Sequence, residues 1–137
     1  AGFTVLRNKG VNVTNYLNIA GVDDRTRRYY KKFPELSEKD MLQKLDQKIF
    51  TLLLKHRPEV NQKSLGLFDL QLSGHTHKGQ IFPFNIITLL YFPIHWGCLN
   101  PVDHCYLYVS RGSGTWGPPI RFLSPPEVTL IELVSQN

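Results

Sequence analysis

Two strand-like segments, each followed by histidine, constrain the fold of this chain most. Ile49-Phe50-Thr51-Leu52-Leu53-Leu54 is continuous but for one threonine, the pattern of a strand buried on both faces. Lys55-His56-Arg57-Pro58 ends it. Residues 58–67 can form a short helix, with Pro58 in the first turn, where a missing N–H is tolerated. Phe68-Asp69-Leu70-Gln71-Leu72-Ser73 reads as the next strand, stopped by Gly74-His75-Thr76-His77. Strand, short helix and strand suggest a crossover unit with two parallel neighbours. The expected fold class is α/β (α+β) with a mixed sheet.

The chain has 137 residues, room for one domain with a real core. At 42% hydrophobic and 20% charged it is neither a disordered tail, a collagen-like chain nor a coiled coil. Phe3 to Leu6 reads as a short β run, and Val11-Asn12-Val13 alternates beyond Asn8-Lys9-Gly10, so a hairpin is expected there. Tyr16 to Val22 is a further strand. Ser37 is an N-cap candidate with Asp40 three residues on. Met41, Leu42, Leu45 and Ile49 form a helical stripe, predicting a helix from Glu38 to about Lys48. Residues 78–104 show no clear period and read as a long loop. Cys105 to Ser110 is a strong β run, and Val128 to Val134 alternates as a last strand.

Sixteen Lys and Arg against 11 Asp and Glu give a net charge of +5. That permits an anionic partner without demanding one. The positive charge clusters only at Arg25-Thr26-Arg27-Arg28 and Lys31-Lys32, which read as a solvated loop. Cys98 and Cys105 do not make a disulfide framework and read as free thiols. The longest apolar run, Ile86 to Ile94, is broken by Thr88 and Pro93 and is far short of the ~20 residues that span a bilayer.

In an open α/β sheet, ligands gather beyond the carboxyl ends of the strands. His56 follows one apolar strand, and His75 and His77 follow its expected parallel neighbour. Three imidazoles would converge on one sheet edge, and neutral imidazole is the commonest metal-binding side chain. Gly74 lets the backbone turn sharply there. His95 and His104 fall in the irregular stretch and read as loop histidines.

These residues carry a resemblance. Leu52 to Pro58, then Asp69 to Gln80 with its Gly74-His75-Thr76-His77 element, resemble the second half of the calcineurin-like metallophosphoesterases. Leu107 to Gly114, Gly117 to Phe122 and Pro126 to Ile131 are similar to the YkuE-like bacterial branch. Gly2 to Asn8 looks like the segment just after that family's Gly-Asn-His motif. The resemblance covers nearly the whole chain. It implies the C-terminal half of a two-sheet β-sandwich flanked by helices. It also implies that His56 and His75 bind one metal and His77 another. The family's Asp-x-His, Gly-Asp and Gly-Asn-His motifs are absent from the sequence. The catalytic residues and the bridging carboxylate are therefore expected in a missing N-terminal half. Lys78 stands where the family commonly has Gly, and with Arg57 it is a candidate phosphate contact.

The implied activity is hydrolysis of phosphomonoesters or phosphodiesters with two divalent metal ions, Mn, Fe or Zn, which suit histidine and carboxylate ligands. The isolated chain should bind metal weakly and hydrolyse poorly. An uncovered sheet face should favour a dimer or swapped assembly. Residues Ile86 to Ile94 could form a lip that touches a membrane surface or instead pack within the domain. The alternative reading is a non-catalytic basic module, with 25–32 holding an anionic surface or nucleic acid. A mononuclear zinc hydrolase is a third. On the hydrolase reading nucleic acid is not an expected partner. An export or membrane segment would lie upstream; otherwise the compartment is cytoplasmic.

Overall fold

The structure, a computed structural model, describes residues 2–24, 37–102 and 105–134, without the side chains of 99–102. The basic stretch 25–34 and His104 lie outside the described residues. One six-stranded mixed sheet organises the chain: β1 (Lys9–Thr14), β2 (Leu17–Val22), β3 (Phe50–Lys55), β4 (Leu70–Ser73), β5 (Gly97–Val102) and β6 (Cys105–Val109). Their spatial order is β1-β2-β3-β4-β6-β5. The four central strands β2, β3, β4 and β6 are parallel, and β1 and β5 pair antiparallel at the edges. The expected βαβ pairing of β3 with β4 is present, with Leu52 opposite Leu70 and Leu54 opposite Leu72. Only one turn of 3-10 helix, Gln62–Ser64, stands in the connection. Asn61 starts it by accepting a hydrogen bond from the Lys63 N–H.

The core lies on one face of the sheet. Ala20, Leu53 and Cys105 pack there with Phe68 and with Met41 and Leu42 of helix α1 (Glu38–Leu42). Two polar groups within it are paired, Asn18 donating to the Thr51 hydroxyl at 3.1 Å and Cys105 to the Phe68 carbonyl, whereas Ser64 Oγ and Gln71 Oε1 are buried without a hydrogen-bond partner. The opposite face is more open, with Leu52 half-buried and Leu54 exposed. The reading of this run as buried on both faces is thus corrected among the described residues. Composition alone does not say which face is covered.

Several boundaries differ from the sequence pattern. The hairpin is β1 with β2, not Phe3–Leu6 with 11–13, and residues 3–6 form no strand. Ser37 caps α1 as expected, accepting from the Asp40 N–H at 3.1 Å. The helix then stops at Leu42 instead of near Lys48. The Gln47 side chain donates to the Leu42 and Leu45 carbonyls, which further helix would have used. The stretch read as loop contains helix α2 (Phe84–Tyr91) and strand β5. α2 carries Asn85 and Thr88 on one half-buried face while its apolar residues are exposed, the reverse of the usual pattern, so the sequence does not read as a core-facing helix. Residues 128–134 are not a strand. The β5–β6 register puts Cys98 opposite Tyr108, away from buried Cys105.

Candidate functional site

Parallel pairing brings four strand ends to one edge. Val22 lies beside Lys55, Leu54 beside Leu72, and Ser73 beside Val109. The ladder continues one step further, with Gly74 N–H donating to the His56 carbonyl and Ser110 N–H to the Ser73 carbonyl. Asp24, His56, His75 and Arg111 therefore all emerge just past the strands. An open cleft of about 410 Å³ adjoins them, lined by Leu6, Val22, Lys55, His56 and Gly74 among others.

His56 and His75 meet directly. His56 Nε2 and His75 Nδ1 are 3.0 Å apart, with the rings edge-to-face. The Asp24 carboxylate stands 3.7 Å from His56 Nε2 and accepts from Arg57 Nε at 3.1 Å. Burial lowers the His75 pKa below its usual 6.5, and the Arg57 charge, His56 and His77 push the same way; Asp24 opposes them. Its ring is therefore neutral near pH 7, the form that offers a lone pair to a metal.

His77 is held differently. Arg121 Nη2 lies 3.1 Å from His77 Nδ1. A guanidinium only donates, so this nitrogen accepts. Burial, and next the Arg121 charge, lower the His77 pKa, while the Gly114 carbonyl works the other way. With its Nδ1 lone pair given to Arg121, His77 does not join the His56–His75 pair. Among the described residues no group of three or more His, Cys, Asp or Glu is arranged to hold a metal ion.

The turn carrying these histidines is strained and tightly clamped. His75, His77, Lys78 and Gln80 all have positive φ, rare for residues with side chains. Such strain persists only where the surroundings enforce it. The 116–124 segment does so. Buried Gln80 accepts from the Trp116 N–H at 2.6 Å and donates to the Trp116 and Pro118 carbonyls. The Ser124 hydroxyl donates to the His77 carbonyl, and Arg121 also binds the carbonyls of Arg111, Gly112 and Ser124. Lys78 stacks on Trp96, its Nζ 4.3 Å from the ring centre, and Arg111 lies over the same ring. Behind β6, Glu127 binds Tyr108, Arg111 and Thr129. Burial would raise its pKa, but these hydrogen bonds and the Arg111 charge hold it at about 2.

Sequence reasoning missed Asp24, Arg121 and Gln80. Asp24 had a signal, since it follows a strand now seen to be parallel to β3. Arg121 and Gln80 had none, because each works across more than 30 positions of sequence.

The chain is 41% identical over 137 residues to an "Uncharacterized metallophosphoesterase" of Aquifex aeolicus, matching 97% of this chain and 51% of that protein. It is 35% identical over 144 residues to "Uncharacterized metallophosphoesterase YkuE" of Bacillus subtilis, at 99% and 48% coverage. The chain belongs to the calcineurin-like metallophosphoesterase family. This metallophosphoesterase chain spans about half the length of those two relatives. Its relatives are not all bacterial. A Danio rerio "Transmembrane protein with metallophosphoesterase domain" is 39% identical over 85 residues, 60% of this chain and 20% of that one. No helix among the described residues is long and apolar enough to cross a membrane. No family model matches the chain. No solved structure matches it either.

Proposed function

We propose that this chain is the C-terminal part of a phosphoesterase domain and supplies histidine ligands to its two-metal site. One observation carries the reading: His56 Nε2 and His75 Nδ1 face each other at 3.0 Å at the carboxyl edge of the sheet. Two nitrogens bound to one ion at about 2.1 Å each stand about 3.0–3.4 Å apart, depending on geometry. The pair therefore fits a shared ion, and Asp24 is the nearest carboxylate. His77 is the proposed ligand of the second ion, and its ring must swing off Arg121 to serve. Bound divalent ions of the Mn, Fe or Zn type would supply charge stabilisation and a more acidic water.

The chain's own residues bind and orient. Arg57 and Lys78 carry positive charge beside the histidines and suit an anionic phosphoester. Arg121 and Gln80 keep the histidine turn in its strained shape. The catalytic groups are proposed to come from the N-terminal half of the domain, so the isolated chain would hydrolyse poorly. The names of the relatives support hydrolysis over the non-catalytic basic module. The test is metal titration of the protein by calorimetry, with p-nitrophenyl phosphate and bis(p-nitrophenyl) phosphate as substrates. His75→Ala and His56→Ala should each weaken Mn or Zn binding by about tenfold or more. Unchanged metal affinity in the double variant would overturn the assignment.

A further inference from the structure

We propose that α2 and its flanks dock on an anionic membrane surface, a binding role beyond hydrolysis. Eight consecutive residues, Phe-Asn-Ile-Ile-Thr-Leu-Leu-Tyr, form the helix, and none is buried. Leu90 and Tyr91 are 77% and 78% exposed. Exposed apolar surface of this continuity marks an interaction site. At 1.5 Å per residue the helix is about 12 Å long, against a hydrocarbon core of about 30 Å. It can enter one leaflet and cannot span.

Charge selects the partner. From Leu70 to Val102 the sequence holds no Asp or Glu. Lys78, in the turn that packs on α2, lies over Trp96, an exposed indole six residues after Leu90; Arg111 lies over the same ring and is also paired with Glu127. An apolar tip flanked by an indole and Lys78 complements anionic headgroups, since indole settles at the interface and lysine is drawn to negative lipid. A neutral protein groove would use the tip and leave that flank idle. Docking would also set the histidine pair at headgroup level, because Phe92, the residue after α2, stacks edge-on with His75 at 5.4 Å.

The experiment is sedimentation of the protein with vesicles of equimolar phosphatidylglycerol and phosphatidylethanolamine, compared with pure phosphatidylcholine. Preference for the anionic vesicles is expected. Ile86→Ser with Leu90→Ser should lower affinity by at least about tenfold. Lys78→Gln should lower binding to anionic vesicles by about fivefold and leave phosphatidylcholine unaffected. A second readout does not depend on those variants folding: in a Trp116→Phe background, Trp96 fluorescence should shift blue and be quenched by brominated lipid. Absent vesicle binding, equal binding by the double variant, or an unquenched Trp96 would each overturn the proposal. So would a concentration-dependent dimer that the double variant abolishes without any lipid binding, since a second copy would then be the occupant.

Discussion

Gly79→Ala tests how the histidine turn is joined to α2. Gly79 sits at φ +76, and a Cβ placed there would stand 2.2 Å from Asn85 Cα and 2.6 Å from Asn85 N. Ordinary carbon contacts lie at about 3.5–4.0 Å. The obstacle is backbone, so no side-chain rotation relieves it, and turn and helix must part by more than about 1 Å. Overpacking of this kind costs ~1–3 kcal/mol. The left-handed conformation adds ~1–2 kcal/mol for alanine. The sum is about 2–5 kcal/mol. Gly66→Ala is the matched control: its φ is +78, and nothing lies within 4 Å of a Cβ there. It should cost only the conformational ~1–2 kcal/mol. Urea midpoints and melting temperatures of the two variants isolate the close approach as their difference, about 1–3 kcal/mol or roughly 4–12 °C. Equal destabilisation by the two substitutions would refute the reasoning, because the helix would then be yielding freely.

Two other perturbations follow from the core and the C-terminal segment. Lys55 Nζ binds Glu38 Oε2 at 2.8 Å, both side chains are at most 10% exposed, and Glu38 Oε1 has no partner. Lys55→Met should cost ~3–5 kcal/mol by stranding the Glu38 charge, and Lys55→Met with Glu38→Leu should recover most of it; equal urea midpoints for the single and double variants would contradict this. Glu127 titrates at about 2 in the fold against an ordinary 4.5. Its contribution is therefore full above about 4.5 and lost as pH falls toward about 2. Acid unfolding of Glu127→Gln should lack that component, and wild-type and variant stabilities should converge near the lower limit.

Much of the sheet was legible in the sequence because local pattern and tertiary role agree there. Ile49 to Leu54 is a nearly continuous apolar run, Phe68 to Ser73 alternates apolar with polar, and each is punctuated by residues that end strands. Their parallel pairing followed from the length of the connection. The Ser37 cap was legible because it is a contact of one turn. His56 with His75 was legible for the same compound reason: parallel strands of matched register must bring the residues after them together.

The remainder was decided by contacts between distant positions. Helix α1 ends early because the Gln47 side chain takes its carbonyls, a choice the helical stripe does not encode. α2 escaped the pattern because its two polar residues, Asn85 and Thr88, sit on the half-buried face and its apolar residues are exposed. The alternation of Val128 to Val134 suits a strand, yet a strand exists only where a partner supplies hydrogen bonds. Here the segment is anchored by Glu127 to Arg111 and Tyr108. His77 shows the division most plainly. Its place in the Gly-His-Thr-His element is a property of the sequence. The direction of its lone pair is set by Arg121, 44 positions away, because only the folded chain brings that guanidinium within reach.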